Sequence, residues 1–112
     1  MDLDISTNDG IVIVTLVRRL DADSVPAVEE ELKKLAAQSP QRVLFDFSKT
    51  EYIASAGLRV LLSTTRSILK TGGTVVLASL SPQVRQVFEI SGFTKIFTIH
   101  LSREDALKSL QK

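Results

Sequence analysis

A chain of 112 residues has room for one small domain around a single core, here residues 1–112. With 44% hydrophobic and 24% charged residues it is not a disordered chain, and its 14 basic and 13 acidic side chains are interspersed, for a formal charge of +1, so no basic stripe for direct nucleic-acid binding is expected. Cysteine is absent, which removes disulfides, thiolate metal sites and thiol nucleophiles; no apolar run reaches membrane-spanning length or opens the chain as a signal peptide, so a soluble cytoplasmic protein without membrane insertion is expected.

Residues 2–17 read as two strands joined at Asn8-Asp9-Gly10, since Asp-Gly between extended runs is a strong hairpin signal. Ile11–Val17 is almost continuously apolar, which places it inside a sheet with both faces covered. Arg18–Ser24 follows as a loop. Asp23 or Ser24 is expected to cap the next helix, with Pro26 in its first turn and Val25, Val28, Leu32, Leu35 and Ala36 facing in. Its charged face, Glu29–Glu31 with Lys33 and Lys34, has the favourable spacing of four and reads as solvated.

Arg42–Phe47 is the next strand, short and rich in β-branched and aromatic residues. A helix from about Ser55 to Lys70 then shows Leu58, Leu61, Leu62, Thr65 and Leu69 at three- and four-residue steps, and Gly72-Gly73 stops it. Thr74–Ala78 is a further buried strand. Ser81-Pro82 starts a helix with Val84, Val87 and Phe88 inward, and Gly92 ends it. Ile96–Ile99 reads as the last strand, and Ser102 caps a final helix that buries Ala106, Leu107 and Leu110. The order is α/β, and it predicts a mostly parallel sheet of about five strands, an antiparallel N-terminal edge strand and about four helices.

In such a sheet, loops at the carboxyl ends of the strands gather on one edge, here Arg18–Ser24, Ser48–Ser55 and Ser79–Ser81. Chemistry is poorly supplied there. His100 has no evident carboxylate partner and reads as a satisfied or surface histidine. Asp21, Asp23, Asp46 and Glu51 lack the spacing of a cation loop, and no phosphate-cradling glycine motif is present. Asp46 is open to two readings, an oxygen ligand or a cap on neighbouring N–H groups. No catalytic residue, metal or cofactor is expected. Ser55 stands out, because it falls at a helix start, where N–H groups lack partners and the dipole is positive, although most serines in that position do no more than cap. Gly57 would leave that turn uncovered.

Phe45-Asp46-Phe47-Ser48 followed by Tyr52-Ile53-Ala54-Ser55-Ala56-Gly57-Leu58 resembles the signature of the STAS domains, in particular the bacterial anti-sigma factor antagonists. In that family the stretch reads aspartate-leucine-serine, a gap, then aspartate-serine-serine (or threonine or alanine)-glycine-leucine. This sequence departs from it with Ala54 for the second aspartate and Ala56 for the second hydroxyl, and Arg18 stands where the family's earlier loop often has glycine. The resemblance spans residues 2–110 and implies a single-domain STAS-like fold.

It also implies a phospho-switchable binding module. Unphosphorylated, the protein would bind an anti-sigma factor that is a serine kinase and so free a sigma factor; phosphorylation at Ser55 would reverse this, and a PPM-type serine phosphatase would restore it. Partner contacts are expected at Asp21, Asp23, Ser48, Tyr52, Ala54, Ala56, Gly57, Arg59 and Val60, with Val60 either an exposed anchor or packed under the third helix. Two other readings remain open. One is a non-phosphorylated STAS adaptor in a lipid-transport or stress-signalling complex, the other a small-ligand module on the same loop edge.

Overall fold

The computed structural model describes residues 3–111; Asp2, where the expected hairpin began, lies outside the described residues. Asp9 and Gly10 take φ of 52° and 78°, the left-handed pair that a two-residue hairpin turn requires, and Asn8 faces Ile11 across them. The turn joins β1 (Asp4–Asn8) to β2 (Ile11–Thr15) in antiparallel register, Asp4 opposite Thr15. Every residue of β1 is exposed, while β2 is buried on both sides, as a near-continuous apolar run demands.

A short parallel pair follows later in the chain, formed by β3 (Arg19–Leu20) and β5 (Tyr52–Ile53). The main sheet has the order β1-β2-β4-β6-β7, with β4 (Arg42–Asp46), β6 (Thr74–Ala78) and β7 (Ile99–His100) parallel to β2. Helices α1 (Val25–Ala37), α2 (Ser55–Lys70) and α3 (Pro82–Ile90) cover the face of Val14, Val43, Phe45 and Leu77. Helix α4 (Arg103–Leu110) covers Ile11, Ile13, Leu44 and Val76 on the other. The mixed sheet of five strands with four helices matches the architecture read from the sequence, apart from the added ribbon.

Three details differ. The last strand is Ile99–His100, and Phe93–Lys95 forms a 3-10 turn before it. Phe97 leaves the sheet to pack on Phe88, ring centroids 5.9 Å apart, within an edge-to-face cluster that also holds Phe47 and Phe93. Such contacts add about 0.5–1.5 kcal/mol per pair beyond burial, enough to outweigh strand propensity in a four-residue run. On α2, Leu69 is exposed and Ile68 is buried in its place, because α1 as well as the sheet covers this helix and rotates its buried arc. On α1 neither Asp23 nor Ser24 caps; Asp21 Oδ1 accepts the N–H of both, at 3.1 and 3.2 Å, and the Ser24 hydroxyl donates to the Arg19 carbonyl instead.

Arg42 clasps the end of the sheet opposite the loops. Its guanidinium donates to the carbonyls of Leu110 at 2.9 Å and Asp9 at 3.0 Å, fastening the end of α4 to the hairpin turn. No helix among the described residues is long and apolar enough to cross a membrane.

Candidate partner-docking edge

Two of the three loops expected at the carboxyl edge, Arg18–Ser24 and Ser48–Ser55, are stitched together by the β3–β5 ribbon. The N–H groups of Glu51 and Tyr52 donate to the Arg18 carbonyl at 2.7 and 3.4 Å, and that of Ala54 donates to Leu20 at 2.8 Å. Thr50 is buried, its hydroxyl donating to the Val17 carbonyl at 2.8 Å. Outside, Arg18 pairs with Glu51 at 2.8 Å, and the Arg19 guanidinium lies 4.6 Å from the Tyr52 ring centroid. Exposed pairs of this kind contribute up to about 1 kcal/mol, so the buried bond and the main-chain bonds fix the geometry. Leu20, an apolar residue stranded between Arg19 and Asp21, was the sequence signal for this ribbon; it and Ile53 are buried.

The ribbon delivers the chain into α2 with Ala54 at the cap position, extended at φ −98° and ψ 171°. Alanine has no side chain with which to cap. Ser55 is therefore the first helical residue, and its exposed hydroxyl is bonded to none of the described residues. By helix geometry the N–H groups of this first turn have no intrahelical partner. Tyr52 (44% exposed), Ser48 and Arg59 are exposed on this edge or one turn beyond it, and Ala54 and Ala56 are half-buried.

Two of the expected contact residues are placed differently. Val60 is 7% exposed and lines the seam between α1 and α2 beside Leu32 and Ala36, so it is neither an exposed anchor nor packed under α3. Gly57 is also buried. A Cβ there would stand 3.0 Å from both Ile53 Cγ1 and Leu20 Cβ, so this glycine lets α2 close onto the ribbon and does not open the turn to solvent. Its φ is ordinary; the constraint is space.

Asp46, at the end of β4, is buried, and its two oxygens answer the open question about it. Oδ1 accepts the Ser48 N–H at 2.9 Å and Oδ2 meets Arg103 of α4 at 3.3 Å. It caps the loop. Asp21 is engaged as well: the Ser24 N–H bonded to its carboxylate holds its carboxyl below the usual range, desolvation opposes this, and Arg19 and Asp23 add to the lowering. Asp23 is exposed and free to meet a partner. Open hollows of about 520 and 680 Å³ flank Arg18, the first bounded by Ser48, Lys49 and Glu51, the second by Asp21 and Asp23. His100 is half-buried on β7 with Nε2 sealed and unpartnered among the described residues, so it is not the satisfied or surface histidine expected. Among the described residues no three His, Asp or Glu side chains gather as a metal ion would need.

Residues 2–106 match the sequence profile of the STAS domain. The chain belongs to the STAS domain family. Among its STAS relatives, BtrV of Bordetella bronchiseptica, provisionally named an anti-sigma factor antagonist, is 39% identical over 106 residues, covering 95% of this chain and 91% of its own. The anti-sigma-B factor antagonist of Bacillus subtilis is 27% identical over 108 residues, 96% of this chain and 98% of its own. The crystal structure of an anti-sigma factor antagonist from Mycobacterium paratuberculosis superposes with a TM-score of 0.90 at 25% identity, covering 98% of this chain and 93% of that one. The STAS fold thus extends over nearly the whole chain.

Proposed function

We propose that this protein is an anti-sigma factor antagonist that works by partner switching in the cytoplasm. With Ser55 unmodified it binds an anti-sigma factor, itself a serine kinase, and so frees a sigma factor. With Ser55 phosphorylated it releases the kinase. The observation that carries this reading is the Ser55 hydroxyl, exposed and unbonded at the head of α2 because Ala54 occupies the cap. Its STAS relatives with antagonist names support the same reading.

The protein is the substrate in this scheme. The kinase joins Ser55 Oγ to the γ-phosphorus of ATP as the bond from that phosphorus to the bridging oxygen breaks; ADP leaves and the hydroxyl proton passes to a base on the kinase. Water attacks the same phosphorus on a PPM-type serine phosphatase, returning the hydroxyl and inorganic phosphate. The phosphate adds about −1.5 to −2 charges and three acceptor oxygens. Unpaired N–H groups and the positive end of the helix dipole receive that charge within the domain, so the fold survives it. A partner face closed over the same spot must bury the charge or withdraw. Tyr52, Ser48, Asp23, Ala54, Ala56 and Arg59 form the surface around Ser55 that the partner would cover, with Asp21 holding the neighbouring loop in shape.

Affinity capture from lysate with wild type, Ser55→Ala and Ser55→Asp tests this. A kinase-like anti-sigma factor recovered with the first two and lost with the third is the expected result. Mass spectrometry then finds one phosphate on Ser55 after incubation of that kinase with ATP. Identical partner lists for all three proteins would overturn the switch.

A further inference from the structure

Among the four helices, α2 alone has no acidic residue: Ser55–Lys70 contains Arg59, Arg66 and Lys70 and neither Asp nor Glu. The others carry charges of both signs. On α1, Lys34 lies 3.4 Å from Glu31 and 4.0 Å from Glu30; on α3, Arg85 lies 3.7 Å from Glu89; α4 carries Glu104 and Asp105 in its first turn. The three cations of α2 fall in line. Seven residues from Arg59 to Arg66 leave about 20° of rotation and four more to Lys70 about 40°, so the row runs down one face for roughly 16 Å. All three line one open hollow of about 510 Å³, with Leu62, Ser63 and Ser67 between them. Lys33 of α1 joins Lys70 at the next hollow along. One carboxylate, that of Glu29, lies nearby, in the α1–α2 seam beside Ser63. None of the three α2 cations forms an ion pair with a described residue.

We propose that this row is the second half of the docking surface and fits a carboxylate-rich face of the same anti-sigma factor that reads Ser55. The inference rests on the partner-switching reading and adds to it the charge of the partner. Complementary charge of this kind acts mainly on encounter rate and partner choice, and like charges set against each other exclude wrong partners. It also sharpens the switch. Ser55 precedes Arg59 by four residues, about 40° apart on the helix, so a phosphate on Ser55 lies within reach of that guanidinium. Phosphorylation then takes Arg59 as its own counter-ion and sets negative charge before the partner's carboxylates, reversing the sign of one end of the row while Arg66 and Lys70 stay positive.

Two measurements on the full chain test this. In the first, the 15N-labelled protein is titrated with poly-L-glutamate at low salt. Amide shifts along residues 59–70 that disappear in the Arg66→Glu/Lys70→Glu double variant, with its thermal midpoint unchanged, are expected. Shifts centred on α1 or α4, or no shifts, would overturn the proposal. In the second, association of the captured anti-sigma factor slows at least about tenfold in the double variant at low salt, and the gap narrows as salt screens the charges. Equal association rates would overturn the row and leave the Ser55 switch standing. Conversely, slowed association combined with equal binding of Ser55→Asp would remove the switch and leave the row. Duplex DNA or phosphatidylserine-rich vesicles that shift the amides of residues 59–70 while poly-L-glutamate and the anti-sigma factor leave them unmoved would assign the row to a phosphate-bearing partner and overturn it as a protein contact.

Discussion

Besides Ser24 at the start of α1, three serines stand at helix starts on the loop side of this sheet, and the chain uses these three in two ways. Ser81 and Ser102 occupy the cap positions of α3 and α4, where their hydroxyls accept the N–H groups of Val84 at 3.2 Å and Asp105 at 3.1 Å. Ser55 lies one residue further in, on the first turn of α2, and its hydroxyl accepts nothing from the described residues. A shift of one position separates a hydroxyl committed to holding a helix from one open to chemistry. The β3–β5 ribbon sets that shift, since its bond from Ala54 N–H to the Leu20 carbonyl fixes where the helix begins.

The contrast is sharpest in binding. Ser55→Asp should weaken the anti-sigma factor by more than about a hundredfold, roughly 3 kcal/mol, in calorimetric titration, while Ser81→Asp leaves affinity unchanged. Equal losses would mean that charge anywhere on the edge disrupts docking. Next in size is the fit beneath Ser55. Gly57→Ala drives a methyl group against Leu20 and Ile53 and should cost about 1–3 kcal/mol in urea unfolding. An unchanged midpoint would show that the ribbon yields easily.

Removing the hydroxyls themselves tests the caps. Ser81→Ala should lose about 1 kcal/mol of stability and Ser55→Ala no more than about 0.5 kcal/mol. A reversed order would make Ser55 the structural residue. The smallest effect belongs to the neighbouring loop. The folded carboxyl of Asp21 titrates below its unfolded value of about 3.9, so its contribution is complete above that pH and fades as pH falls through the lowered value. Asp21→Asn should therefore flatten the acid side of a stability–pH profile measured by urea midpoints; a parallel profile would detach Asp21 from the loop's stability.

Much of this was legible in the residues. The span of α2 from Ser55 to Lys70, the Asp9-Gly10 turn, β6 and the caps at Ser81 and Ser102 all follow from local rules of propensity, turn geometry and capping. What escaped depends on what packs against what. Leu69 and Ile68 satisfy the same period, and only the second cover supplied by α1 decides between them. Phe97 reads as strand until the aromatic cluster draws it away. At the docking edge the type and place of Ser55 were visible. The burial of Val60 and Gly57 was not, because both depend on neighbours far away in sequence: Leu32 of α1 in one case, Leu20 in the other.

The hairpin register and the Arg42 clasp have a practical corollary for anyone immobilising this molecule. Asp4 pairs with Thr15, so the amino-terminal strand starts beside the loops, whereas Leu110 is fastened to Arg42 at the opposite pole. A sensor-chip linker, dye or fusion attached beyond α4 points away from the Ser55 edge, and the same attachment ahead of β1 crowds it.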